Sequence, residues 1–198
     1  MSQDFHADTL AIRAGIERSQ FNEHSEALYL TSSFVFDNAA QAAARFSNAE
    51  PGNVYARFTN PTVSAFQTRL AKMEGAQAGL ATSSGMAAIL SCVMGLIKAG
   101  DHIVSSRSVF GATVQLFNNV LGKWGLETTY VSQTDLSGWR AAIKPNTKLF
   151  FVETPSNPLT EIADLAGLAE IAHANYILLV VYNFFFTPIL QRPIEFDA

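Results

Sequence analysis

The stretch Thr82-Ser83-Ser84-Gly85-Met86-Ala87-Ala88 joins a small-residue segment, Ala78 to Ala81, to a strongly apolar run from Met86 to Ile97. If the segment ends a strand and the run is a helix, the junction gathers backbone N–H groups, two serine hydroxyls and the positive end of a helix dipole. Such a cup binds anions, a phosphate above all. Ser-Ser-Gly is also an ordinary helix start, with Ser as N-cap and Gly in the turn, and on this stretch alone both readings stand. A second pair, Tyr55 and Arg57, alternates onto one side of an extended segment. It offers a hydroxyl and a guanidinium fork to one anion, or else it is a packed Tyr beside a solvated Arg.

The elements that must position these groups alternate in type. Asn60 and Pro61 read as the N-cap and first position of a helix carrying Val63, Phe66, Leu70 and Met73 on one face and ending at Gly75. Met86 to Ile97 is apolar nearly all round, predicting a helix buried on several sides and stopped by Gly100. Strands are expected at His102–Ser105, Glu127–Val131, Lys148–Val152 and Ile177–Val181, with helices at Ala112–Leu121, Leu136–Ile143 and Leu165–Ala174. This alternation implies an α/β fold, a mostly parallel sheet covered on both faces, so three layers. Ligands of such sheets gather beyond the carboxyl ends of the strands. Ser83 to Gly85, Glu153-Thr154-Pro155-Ser156-Asn157-Pro158 and Tyr182-Asn183-Phe184-Phe185-Phe186-Thr187-Pro188 should therefore open on one rim. Residues 1–55 lack a sustained period apart from a short helix over Ala39–Phe46, and their apolar content reads as an arm over a neighbouring subunit.

Composition excludes several classes. The 198 residues are 48% hydrophobic and 15% charged with a net charge of −4, and the 13 Lys and Arg are scattered, which argues against nucleic-acid binding. No apolar stretch is long enough to span a bilayer, and the N-terminus has neither the basic region nor the apolar core of a secretory signal. The one cysteine, Cys92, excludes an intrachain disulfide and fits a reducing compartment, the cytoplasm. His6, His24, His102 and His173 show no metal-ligand spacing, so no metal is expected.

With these residues assembled, the chain resembles the Cys/Met-metabolism family of pyridoxal-phosphate enzymes, which includes cystathionine gamma-synthase, methionine gamma-lyase and O-succinylhomoserine sulfhydrylase. Tyr55-Ala56-Arg57 with Asn60-Pro61-Thr62, Ser83-Ser84-Gly85-Met86-Ala87-Ala88 and Glu153-Thr154-Pro155-Ser156-Asn157-Pro158 carry the resemblance, which covers essentially the whole chain. Ser108 to Thr113 and Gln191-Arg192-Pro193 look most like the sulfhydrylase branch. The resemblance implies an N-terminal arm over residues 1–55 and part of a fold type I large domain over 56–198. It implies that Ser84, Gly85 and Met86 hold the cofactor phosphate, that Tyr55 and Arg57 reach the phosphate of an adjacent subunit, that Phe110 stacks on the pyridine ring and that Asn157 bonds the ring oxygen. An amino-acid substrate and a homo-oligomer, or association with full-length subunits, follow from the same resemblance.

Two departures accompany it. The family has an aspartate before Asn183, whose carboxylate keeps the pyridine nitrogen protonated; here the residue is Tyr182, which at neutral pH carries no charge. The chain ends at Ala198 with no lysine after Lys148, ahead of the family's Ser-x-x-Lys segment and C-terminal domain. The expectation is a truncated transsulfuration enzyme, inactive as this chain, with no catalytic lysine and cofactor binding that is non-covalent at most. The alternative is a non-catalytic protein that binds pyridoxal phosphate or another phosphate, or that pairs with full-length subunits.

Overall fold

The computed structural model describes residues 5–198. They form two units, divided between Ala81 and Thr82.

The first unit contains α1 (Ala7–Arg13), α2 (Ala39–Phe46) and α3 (Pro61–Glu74). The Asn38 side chain caps α2, and Asn60 caps α3 by accepting from the N–H groups of Thr62 and Val63, with Pro61 in the first turn. Gly75 ends α3 at φ +76, a left-handed conformation that suits a residue without Cβ. The Arg69 guanidinium forks onto both oxygens of Glu26 at 2.9 and 3.0 Å and donates to the Ala14 carbonyl, tying the segment after α1 to α3. The strand expected at Ala78–Ala81 does not form. The Ala81 N–H goes to the Gln67 side chain, and Gly79 lies against the Gln67 carbonyl, so α3 rather than a strand neighbour satisfies this backbone.

The second unit is built on a parallel sheet of order β2-β1-β3-β4, from β1 (His102–Ser106), β2 (Glu127–Val131), β3 (Thr147–Glu153) and β4 (Leu178–Tyr182). On β3 the side chains alternate between two cores. Leu149 and Phe151 join Ile103, Phe117, Ile89 and Val93, the last two from α4 (Gly85–Leu96). Phe150 and Val152 join Val104, Trp139 and Leu168, the last two from α6 (Leu136–Ala141) and α7 (Leu165–Ala174). Covered faces on both sides confirm the three-layer α/β reading.

Two expectations change here. Only Ile89 and Val93 of α4 are buried; Met94 is 56% exposed, because one face of the helix packs on the sheet and the others stay open within this unit. The helix expected over Ala112–Leu121 is α5 (Gly111–Gln115) followed by a π turn (Leu116–Val120) and a 3₁₀ turn (Leu121–Trp124) that ends at Gly125. The buried residues Leu116 and Leu121 are five apart, which is the spacing of the π hydrogen bond. α8 (Thr187–Leu190) and a 3₁₀ turn (Pro193–Phe196) follow β4.

At the sheet's opposite end, His102 is buried between the hydroxyls of Thr147 (2.7 Å) and Thr129 (2.8 Å), and burial holds its pKa below the ordinary 6.5. Its unfolded form therefore binds protons first, and stability falls as the pH drops below about 6.5. His102→Gln, which cannot titrate, is expected to lose less melting temperature between about pH 7 and about pH 5 than the wild type, followed by circular dichroism. Phe150, fully buried with its ring 4.9 Å from that of Trp139, tests the core: Phe150→Ala is expected to cost about 3–5 kcal/mol in a denaturant titration.

Candidate functional site

The carboxyl ends of the strands open on one side of the second unit, as expected. Ser84, Gly85, Met86, Phe110, Glu153, Asn157, Tyr182 and Phe184 line a single cavity of about 250 Å³.

Ser84 is the N-cap of α4. Its hydroxyl oxygen accepts the Ala87 N–H at 3.1 Å, while Thr82 donates to the Ser84 carbonyl at 2.9 Å. The first-turn N–H groups of Gly85 and Met86 have no acceptor within the helix and point out of its end. The cap reading and the cup reading of this stretch thus describe one geometry: the serine satisfies one donor and leaves others for an anion.

Phe110 stands at the start of α5. Its backbone N–H donates to Glu153 at 2.7 Å, and its ring, 47% exposed, lines the cavity. Glu153, the last residue of β3, is 1% exposed. Burial raises its pKa above the usual carboxylate range, opposed by the Phe110 N–H. Asn157 lies in a loop with cis peptides at Thr154-Pro155 and Asn157-Pro158. That loop is fastened by Ser156, whose hydroxyl accepts the Glu161 N–H while its own N–H donates to the Glu161 carbonyl.

Tyr182 ends β4 directly opposite Glu153 in the sheet register. Its ring is stacked on that of Phe184, 6.2 Å away and 9° from parallel. Its phenol oxygen rests against Gly85, where a Cβ would collide with it. Burial raises the pKa of the phenol, and the charge of Glu153 raises it further, so the hydroxyl stays neutral.

Of the residues singled out from the sequence, the structure brings Ser84, Gly85, Met86, Phe110, Asn157 and Tyr182 to one cavity. Tyr55 and Arg57 belong to the other unit. They do not share an extended segment. Tyr55 pairs with Ser33 in an isolated bridge, the chain then turns with the Phe58 and Thr59 N–H groups on the Tyr55 carbonyl, and the turn lays the Arg57 guanidinium over the Tyr55 ring at 5.1 Å. Glu153 and Phe184, which the sequence places on the rim only as members of their segments, also line the cavity. A lone acid closing the apolar run Leu149 to Val152 is the signal that marks Glu153.

Comparison with known proteins settles the family. The family described as Cys/Met metabolism PLP-dependent enzyme matches residues 8–198. The chain belongs to this family. It is 56% identical over 191 residues to an O-succinylhomoserine sulfhydrylase of Pseudomonas aeruginosa, covering 96% of this chain and 47% of that protein. To an L-methionine gamma-lyase of Fusobacterium nucleatum it is 40% identical over 188 residues, covering 94% of this chain and 48% of that protein. An O-acetylhomoserine (thiol)-lyase structure from Campylobacter jejuni, which holds N'-pyridoxyl-lysine-5'-monophosphate, superposes with a TM-score of 0.93 at 33% identity, over 98% of this chain and 48% of that one. The chain thus spans about half the length of the relatives it matches. No helix among the described residues is long and apolar enough to cross a membrane.

The family's cofactor provides a fit test for the cavity. The phosphate end fits, since the N–H groups of Gly85 and Met86 face outward at the start of α4. The ring end does not. The Tyr182 phenol stands against Gly85 on the wall of the cavity, in the space a ring attached to that phosphate would need. The one carboxylate on its wall, Glu153, is engaged by the Phe110 N–H.

Because the folded Glu153 carboxyl titrates above its ordinary 4.5, it favours the folded state at low pH and loses that contribution as the pH rises through the folded value. Glu153→Gln keeps an acceptor for the Phe110 N–H without the charge. Its melting temperature relative to the wild type is expected to be more favourable at about pH 7 than at about pH 4; a pH-independent difference would contradict the raised titration.

Proposed function

We propose that this chain is the cradle-bearing half of an O-succinylhomoserine sulfhydrylase. In that reaction a sulfur nucleophile replaces the succinyl group of an amino-acid substrate, as in methionine biosynthesis. The observation that carries the reading is the 56% identity to the Pseudomonas aeruginosa sulfhydrylase along nearly the whole chain. The convergence of Ser84, Gly85, Met86, Phe110 and Asn157 on one rim supports it.

In this reading, the α4 N-terminus and Phe110 are the parts of the family's cofactor cradle that this chain retains, and Tyr182 stands where the rest of the cofactor would lie. Tyr55 and Arg57 contribute to the phosphate site of an adjacent subunit, so the protein works as an oligomer. With Tyr182 in place, the 198 residues by themselves are non-catalytic. The single cysteine supports a place in a reducing compartment, the cytoplasm.

A chimera tests this. Residues 1–198 with Tyr182→Asp, replacing the matching stretch of the Pseudomonas aeruginosa protein, are expected to release succinate from O-succinylhomoserine when sulfide is supplied. The same chimera with Tyr182 is expected to be slower by about 100-fold or more. A folded Tyr182→Asp chimera that releases no succinate would remove the reading.

A further inference from the structure

Tyr182 stands out among the cavity residues because it closes space rather than lining it. Its backbone is fixed by the β3–β4 ladder, where it pairs with Glu153 and its carbonyl accepts the Thr154 N–H at 3.3 Å. From that anchor the ring is held parallel to Phe184, and Phe184 is itself braced edge-on by Phe185 at 5.2 Å. The phenol oxygen reaches as far as Gly85, the residue whose N–H begins the anion-binding end of α4. The side chain therefore bridges the mouth of the cradle from β4 to α4. Displacing it means giving up its stacking on Phe184.

We propose that Tyr182 is a specificity-determining residue that shuts this cradle to a pyridoxal ring. The inference rests on the reading of the cup as the family's cofactor cradle and adds what this chain does to it. A planar ring tethered to a phosphate at Gly85 and Met86 has to share the cavity lined by Phe110 and the end of β4, and the Tyr182 phenol already stands against Gly85 there. Tyr182 also offers no charge to hold a pyridine nitrogen, and Glu153 is directed to the Phe110 N–H instead.

The probe for this is pyridoxamine 5'-phosphate, which has the ring and phosphate of the cofactor but no aldehyde to react with surface lysines. It is titrated by equilibrium dialysis into the full chain and into Tyr182→Ala, Tyr182→Asp and Tyr182→Phe, with far-UV circular dichroism to verify folding. Tyr182→Ala and Tyr182→Asp are expected to bind at least about ten-fold more tightly than the wild type. Tyr182→Phe, which keeps the ring, is expected to stay weak. Where the alanine variant does not fold, the aspartate variant carries the comparison. Wild-type binding as tight as that of the folded variants overturns the inference and leaves the sulfhydrylase reading intact, since that reading fails on the chimera instead. Folded variants that gain nothing overturn it as well, because something other than Tyr182 then closes the cradle.

Discussion

The second unit depends on β3 being buried on both faces at once. Leu149 and Phe151 are committed to the core under α4, while Phe150 and Val152 are committed to the core under α6 and α7. A one-residue slip would exchange the two sets and bring rings of the wrong shape into each core. The register is thus fixed, and with it the depth of the next residue, Glu153. Its carboxylate is placed where water does not reach, so it must find a protein donor. The Phe110 N–H meets that requirement and anchors the start of α5 beside the cavity.

The loops around the cavity are held by a polar network that runs between strand ends. Ser106 donates to the Gln133 side chain, Gln133 donates to the Glu161 carbonyl, and Ser108 donates to the Glu161 carboxylate, at 2.8, 2.7 and 2.9 Å. The end of β1 and the segments after β1, β2 and β3 are joined through these groups, of which Ser106 and Gln133 are buried and Ser108 and Glu161 half-buried. After β4, Asn183 and Gln191 bond reciprocally and fold the Phe184–Leu190 segment back on itself. Asn157 therefore projects from a loop, and Tyr182 from the end of β4, with little freedom to shift.

Much of this was legible in the residues. The bounds of α2 and α7 follow from an Ala-rich run and an apolar run, and the cap and end of α3 from Asn60 and Gly75. The four strands follow from short runs rich in β-branched, aromatic and apolar residues alternating with helical ones. The misses have physical causes. Ala78 to Ala81 has the composition of a strand, but the Gln67 side chain, fourteen residues upstream of Ala81, takes the Ala81 N–H. The π turn at Leu116 answers to the packing of Leu116 and Leu121 rather than to local propensity. In the site, the motif residues were visible from type and spacing. The reach of the Tyr182 phenol to Gly85 was not, because it depends on how far apart the ends of β4 and α4 lie in space.

That contact between Gly85 and Tyr182 also constrains the route by which the chain changes. Position 85 accepts a side chain only after the phenol is gone, and the phenol can return only while position 85 is bare, so the two sites are epistatic and the order of substitutions matters. Tyrosine and aspartate codons differ at a single base. The plugged and open cradles are neighbours in mutational space for as long as Gly85 is kept, and the first methyl group fixed there makes that step one-way.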